Sequence, residues 1–521
     1  MLYLNDNRVN VSLEGGVMTV ASEENNLLAS IEIRYLLKSV LERTNLTVHY
    51  VIQKKNMNLK VKTLVLHGDD EDAQMLHSDI EHILKDRPRR LLVIINPNSG
   101  KRKGMKIYQK IAAPLFQLCG VKADVIVTRK QKEPTDILKN YNLSNIDGIV
   151  TVGGDGLYCE CMNGLIARVQ KDNNVNVNCH NTDIVSASLP IGIIPAGSGN
   201  VIVQYLHGTK CASSAVLHIL LGGNVESNVC SVHEGGKLLS YSALVLGFGL
   251  FGDMMHDCEK FRWMGPLRYN VVPVASMLKR REIDVEIEYY SANKDKVTKK
   301  IRGLGKQISL PNGFMIPSCK SKIQRTKSTP GVLDSSDVQE CEKEEGRVYA
   351  VDTHAVMMKE KSGKMTPSFG QDSLMVYTTH KCTLSDHVSQ LTKVKNEQPD
   401  CYDYKFVSKH EVSSYKVRLL NATVSENTKT LQKDFYLNCD GEVIRLTEPE
   451  FDVKLHKKAQ MLKFRCVPQE ETKSLKRNVY VNKAYSLETI QNRDVAEERS
   501  TWSRDYFESV NELPKLFTTI C

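Results

Sequence analysis

Twelve residues, Ile149 to Glu160 (IVTVGGDGLYCE), constrain the rest of this chain more than any other stretch. Ile149 to Val152 is a short, β-branched apolar run, as expected of a strand covered on both faces. The run ends in Gly153-Gly154-Asp155-Gly156, after which Leu157, Cys161, Met162, Leu165, Ile166 and Val169 fall at helical spacing. A strand, a glycine turn and a helix start make a phosphate site, because the first helical amides lack internal partners and the helix dipole favours an anion. Glycine lets backbone approach that anion closely. A carboxylate in the same turn repels phosphate unless it holds a metal or takes a proton. Asp155 is therefore the candidate for chemistry, against the plainer reading of a strand-to-helix turn with an Asp cap.

The surrounding sequence alternates strands and helices. Leu91 to Ile95 is an apolar strand feeding the loop Asn96-Pro97-Asn98-Ser99-Gly100-Lys101-Arg102-Lys103-Gly104, and Ile107, Ile111, Leu115 and Leu118 then share one helical face. Asp124 to Val127 reads as a second strand, a short helix starts near Thr135, and Ile191 to Ile194 is a fourth strand. That strand ends in Pro195-Ala196-Gly197-Ser198-Gly199-Asn200 and opens another helix. Such an order predicts a parallel sheet with right-handed crossovers and a ligand crevice beyond the carboxyl ends of its strands. Three small-residue loops on one edge of one sheet imply an anion such as a nucleotide tail.

At 521 residues the chain has room for two to four domains. Residues 1–87 predict a small β domain closed by a helix: Val9, Val11 and Leu13 alternate, as do Leu46, Val48 and Tyr50, then Leu59, Val61, Thr63 and Val65, before Leu76, Ile80, Ile83 and Leu84 fall on one helical face. This segment resembles a pleckstrin-homology-like module, and Lys54, Lys55, Lys60 and Lys62 are either contacts for anionic lipid head groups or a solvated edge. Residues 88–225 predict a Rossmann-like α/β nucleotide domain. Residues 226–468 read as a mainly β, sandwich-like region, with strands at 228–232, 237–246, 283–289, 348–351, 374–378, 415–420 and 451–455. Within it, Asp253 to Tyr269 carries more apolar side chains than a solvent-facing helix would. Residues 305–345, rich in Lys, Ser, Glu and Pro, predict a mobile loop, and 469–521 a charged tail with a short helix near Trp502 to Val510. The net charge of +9 is too modest to suggest nucleic acid but suits an anionic membrane surface or a phosphorylated ligand. No run approaches the eighteen or so apolar residues of a membrane span. Without a secretory start or repeated CxxC spacing, the fourteen cysteines predict reduced thiols and a cytoplasmic protein.

The Asn96–Gly100 loop, the glycine turn at 153–156, the Pro195–Asn200 loop and a late Cys439-Asp440-Gly441-Glu442 occur in the order found in the diacylglycerol kinase catalytic superfamily. Leu217-His218-Ile219-Leu220, Ser231-Val232-His233, Gly247-Phe248-Gly249 and Glu259-Lys260-Phe261-Arg262-Trp263-Met264-Gly265 look most like its ceramide kinase and ceramide-kinase-like branch. The Gly197-Ser198-Gly199-Asn200 loop, by contrast, follows the diacylglycerol and sphingosine kinase pattern. The resemblance implies transfer of the γ-phosphoryl of ATP to a lipid primary hydroxyl, with Mg²⁺ and peripheral membrane contact. It implies that Asn96, Ser99, Gly100, Gly153, Gly154, Gly156, Gly197, Ser198 and Asn200 contact the nucleotide, with Thr128 nearby. Arg262 and Arg268 match a phosphate-gripping pair. Asp440, Gly441 and Glu442 match the acidic motif near nucleotide and metal, Asp440 reaching the metal through water. Asp155 is the implied general base, Glu160 a nucleotide-site residue that could hold the base in place, and Asp253 the lipid head-group contact. The favoured acceptor is ceramide; sphingosine, diacylglycerol, or a lipid-binding scaffold without turnover are the alternatives.

Overall fold

The chain opens with seven antiparallel strands (β1–β7, between Leu2 and Gly68), arranged β4-β3-β2-β1-β7-β6-β5, and helix α1 (Asp70–Ile83) closes them. The structure is a computed structural model and describes residues 1–179, 182–261, 263–264, 268–291, 341–361, 364–396, 398, 400–422 and 431–463. The described residues all lie in one compact unit. Met18, Leu36, Leu46, Val48, Leu66 and Ile80 fill the core between the first sheet and α1.

Strands β8 (Arg90–Ile95), β9 (Lys122–Val127), β10 (Gly148–Gly153) and β11 (Ala187–Pro195) form the parallel part, ordered β11-β10-β8-β9. Residues 91–95 are wholly buried, as are Ile149, Val150 and Val152, so the two middle strands have no solvent face. Alternation along each strand divides them between two cores. Leu91, Val93, Ile95, Val150 and Val152 face a layer containing Phe116, Val216 and Leu217. Leu92, Ile94 and Ile149 face Tyr158, Met162 and Leu165. The connecting helices are α2 (Gly104–Ile107), α3 (Ala113–Leu118, after a π-type turn), α4 (Glu133–Asn140), α5 (Asp155–Asp172), α6 (Val201–His207) and α7 (Ala212–Leu221). Chain order and strand order disagree between β8 and β10, which makes their carboxyl ends the topological switch point where a crevice opens.

The antiparallel part holds β12 (Asn224–Glu234), β13 (Lys237–Ser242), β14 (Val245–Gly249), β15 (Ile283–Ser291), β16 (Cys341–His354), a β17–β18 hairpin (Met357–Lys361 and Lys364–Ser368), β19 (Leu374–His380), β20 (Val407–Leu419), β21 (Tyr436–Cys439), β22 (Glu442–Arg445) and β23 (Glu450–Lys463). Helices α8 (Leu250–Lys260), α9 (Arg268–Lys279) and α10 (Leu384–Lys395) interrupt it. The predicted separate β region is joined to the parallel sheet by β23. Its first half pairs with β20 and β12, while Gln460 and Leu462 pair with β11. Residues 341–345, expected in a mobile loop, instead pair with Tyr290 to Glu286 of β15. Their charges hid the strand, but those charges have partners across it: Lys343 meets Glu288, and Glu344 meets His380 and His410. The rest of that predicted loop from 305 to 340, and the tail 469–521, lie outside the described residues.

The first segment is not free-standing. Tyr35, Leu37, Val51 and Leu59 share the core that contains Val216, Leu217 and Leu220 of α7. The Leu59 amide donates to Ser214 Oγ at 2.9 Å, and the Thr209 hydroxyl to Asn58 Oδ1 at 2.7 Å.

Candidate active site

The three loops at the carboxyl edge touch backbone to backbone. A Cβ on Gly197 would lie 2.4 Å from Cα of Gly154, and one on Gly100, whose φ is +51°, would lie 2.6 Å from the Ala196 carbonyl oxygen. Gly153 has the Ser99 hydroxyl and the Leu157 side chain within the space a Cβ would need. Only glycine permits this approach. The Asn96 side chain accepts from the Asn98 amide at 2.9 Å and shapes its loop as an Asx turn. Thr128 sends both its amide and its hydroxyl to the Ile95 carbonyl, tying the end of β9 to the start of that loop. Asn200 takes a left-handed conformation and closes the third loop through paired bonds to the Gly197 amide and carbonyl, both 2.9 Å. Ser198 is exposed at the crest of that loop, and Gly156 faces open space.

Asp155 stands where the loops converge. Its carboxylate accepts from the Val201 amide at 3.1 Å and the Ile202 amide at 2.9 Å, so it caps α6 from the start of α5. Two donors orient the group and leave further lone-pair positions for a substrate hydroxyl. Glu160, suggested as a support for this base, turns elsewhere: it accepts from the Lys132 amide at 2.8 Å, and its own backbone carbonyl accepts from Thr135. Burial pushes the Glu160 carboxyl up, against the pull of the Lys132 amide. Glu442 lies 4.0 Å from the Lys132 ammonium. Lys132 thus sits between two acidic residues and holds a left-handed φ of 63° before α4. No periodicity or motif marks it in the sequence.

Asp440 does not fit a metal role. It is 7% exposed, and five donors already use its two oxygens: Ser242 Oγ, the amides of Ala243, Leu244 and Val245, and Cys159 Sγ. Burial pushes its carboxyl up, while those amides and the Ser242 hydroxyl pull it down. The group ties the β21–β22 turn to the β13–β14 connection and to α5, four residues past Asp155. Gly441, at φ +93°, completes the turn by donating to Asn438 Oδ1. Among the described residues no cluster of three His, Cys, Asp or Glu side chains could hold a metal ion.

Asp253, on α8, faces Arg281 at 3.2 Å. Burial pushes its carboxyl up and the guanidinium opposes that. It lines a cleft of about 260 Å³ together with His256, Lys279, Arg280, Tyr349 and His387. Arg268 opens α9 near Cys258, whereas Arg262 lies outside the described residues.

Residues 90–232 match the diacylglycerol kinase catalytic domain. A parallel sheet whose carboxyl edge gathers three glycine-rich turns around one carboxylate, within that domain, defines the protein as an ATP-dependent lipid kinase. Human ceramide kinase is 30% identical over 399 residues, covering 72% of this chain and 73% of that protein. Mouse ceramide kinase is 28% identical over 458 residues, with 81% and 84% covered, and human ceramide kinase-like protein is 26% identical, with 79% and 76% covered. The chain belongs to the ceramide kinase family.

Proposed function

We propose that this protein transfers the γ-phosphoryl of ATP to the primary hydroxyl of ceramide, giving ceramide 1-phosphate and ADP. The observation that carries the reading is the place of Asp155, oriented by two amides at the meeting point of the phosphate loops. Phosphoryl transfer asks for positioning and charge neutralisation more than covalent help. The lipid hydroxyl oxygen attacks the γ-phosphorus, its proton passes to Asp155, and the bond to the β–γ bridging oxygen breaks as ADP leaves. Amides of the 96–104, 153–156 and 195–200 loops face the phosphates, Arg268 and Arg262 add positive charge, and Asp253 meets the lipid head group. Magnesium would enter with the nucleotide phosphates, as that ion commonly does; Asp440, with its oxygens occupied, is not its ligand.

Residues 1–87 serve as a pleckstrin-homology-like module, 88–225 as the nucleotide domain, and 226–468 as the lipid domain. No described helix is long and apolar enough to cross a membrane, and we assign the protein to the cytoplasmic side with peripheral membrane contact. The test is purified protein with labelled ATP and a panel of ceramide, sphingosine, diacylglycerol and monoacylglycerol in mixed micelles. Ceramide should be preferred, and Asp155→Asn should lose transfer by about 100-fold or more while still binding ATP. Turnover of sphingosine or diacylglycerol alone would reassign the acceptor. Lipid binding without turnover of any member would make the protein a scaffold.

A further inference from the structure

Among the described residues, four large apolar side chains lie exposed between positions 261 and 278: Phe261 at 41%, Trp263 at 80%, Val271 at 50% and Leu278 at 55%. Phe261 and Trp263 follow the end of α8, and Val271 and Leu278 lie on α9. On α9 the solvent-facing positions include Val271, Ala275 and Leu278, spaced i, i+4, i+7, while Val272 and Ser276 are buried. The helix therefore turns an apolar stripe outward, the reverse of a surface helix on a water-exposed protein. The two helices run antiparallel, since Asp253 pairs with Arg281 whereas Asp257, one turn later, bonds to Lys279 and Ser276. Lys260 and Lys279 flank the patch with side chains 60% and 64% exposed; both ammonium groups lie against Asp257, at 3.7 and 2.6 Å, and two cations sharing one carboxylate leave the cluster positive. The cleft containing Asp253 is lined from both helices.

We infer that the α8–α9 pair is the surface by which this kinase enters the bilayer that supplies its substrate. The inference rests on the lipid-kinase reading, because a water-insoluble acceptor must be taken from a membrane. Trp263, Phe261, Val271 and Leu278 lie at the level of the acyl-chain boundary, and Lys260 and Lys279 reach back to lipid phosphates. Tryptophan beside aliphatic residues and lysines is the composition of a membrane interface. The core of a protein–protein interface is instead depleted in lysine. The cleft with Asp253 is walled in part by the same two helices, which puts the head-group site next to the membrane face.

The chain has two tryptophans, Trp263 and Trp502, so full-length Trp502→Phe leaves Trp263 as the sole indole. Mixed with vesicles of phosphatidylcholine and phosphatidylserine, its emission should shift to the blue and be quenched when the acyl chains carry bromine. Val271→Glu with Leu278→Glu should weaken vesicle sedimentation by about tenfold or more and leave the unfolding midpoint and turnover of a short-chain soluble substrate within about twofold. Vesicle-bound protein whose Trp263 stays unquenched, or protein that binds no vesicle, would overturn the inference. So would an indole already shielded without lipid in a particle of twice the chain mass by light scattering, which would make the face a contact between copies. Quenching without phosphorylation of any lipid would uphold the surface and sink the substrate reading instead.

Discussion

Gly197→Ala tests whether the phosphate loops meet as described. The added Cβ would lie 2.4 Å from Cα and 3.0 Å from N of Gly154, against 3.4–4 Å for ordinary contact. The two Gly154 atoms are backbone, so no rotamer change relieves them, and Asn200 Oδ1 lies at 3.0 Å as well; the loops must part by about 1 Å. Overpacking of this kind costs about 1–3 kcal/mol, and a 1 Å displacement at a reacting centre costs about 100-fold in rate. The contrast is Gly156→Ala, whose Cβ would meet nothing within 4 Å and which replaces glycine by a better helix former in the first turn of α5. Urea unfolding and binding of a non-hydrolysable ATP analogue should be measured on both. Gly197→Ala should lose stability in that range and about tenfold or more in nucleotide affinity. Gly156→Ala should be at least as stable as the parent, and a selective loss of ATP affinity there would report phosphate lying on the backbone itself. Gly197→Ala with parental unfolding and affinity within about threefold would refute the convergence of the loops, and with it the placement of Asp155.

Three further outcomes are expected. Asp440→Ala strands five buried donors and should lower stability by about 3–5 kcal/mol; a variant that folds like the parent but demands more magnesium would return Asp440 to the metal. Leu59→Ala, at the seam between the first segment and α7, should cost about 2–4 kcal/mol in urea unfolding, and a chain lacking residues 1–87 should be unstable because it uncovers Val216, Leu217 and Leu220. A truncated chain with the parental unfolding midpoint would show the seam to be incidental. Burial pushes the His354 imidazole down to about 4, so the unfolded chain takes its proton first and stability falls as pH drops from about 6.5 toward 4. The loss is about 2 kcal/mol near pH 5, and His354→Gln should remove that part of the pH dependence; an unchanged profile would show that His354 does not titrate between folded and unfolded states.

The strands and turns of the nucleotide domain were legible in the sequence because their causes are local. A β-branched run covered on both faces, a glycine turn and an amphipathic helix each announce themselves within about twenty residues, and their alternation carries the parallel order with it. Asp155 stood out for the same reason, as the one carboxylate among those glycines. What Asp155 bonds to was not legible, since the amides of Val201 and Ile202 lie 46 and 47 residues away. Asp440 shows the limit more sharply. Its motif was readable, but its donors come from residues 195 to 281 positions distant, and they turn an apparent metal ligand into a structural tie. Lys132, held between Glu160 and Glu442, carried no signal at all. The strand at 341–345 was hidden because pairing, not propensity, neutralises its charges. Likewise, sequence could not say which way Val271 and Leu278 face, since periodicity is the same for a helix turned inward or outward. Sequence alone thus determined the elements of the nucleotide domain, their order and the single carboxylate of the central turn. Tertiary structure decided which charges are spent on holding the fold, which strand joins the two halves, and which apolar face is left for a partner, because each depends on contacts between residues far apart in the chain.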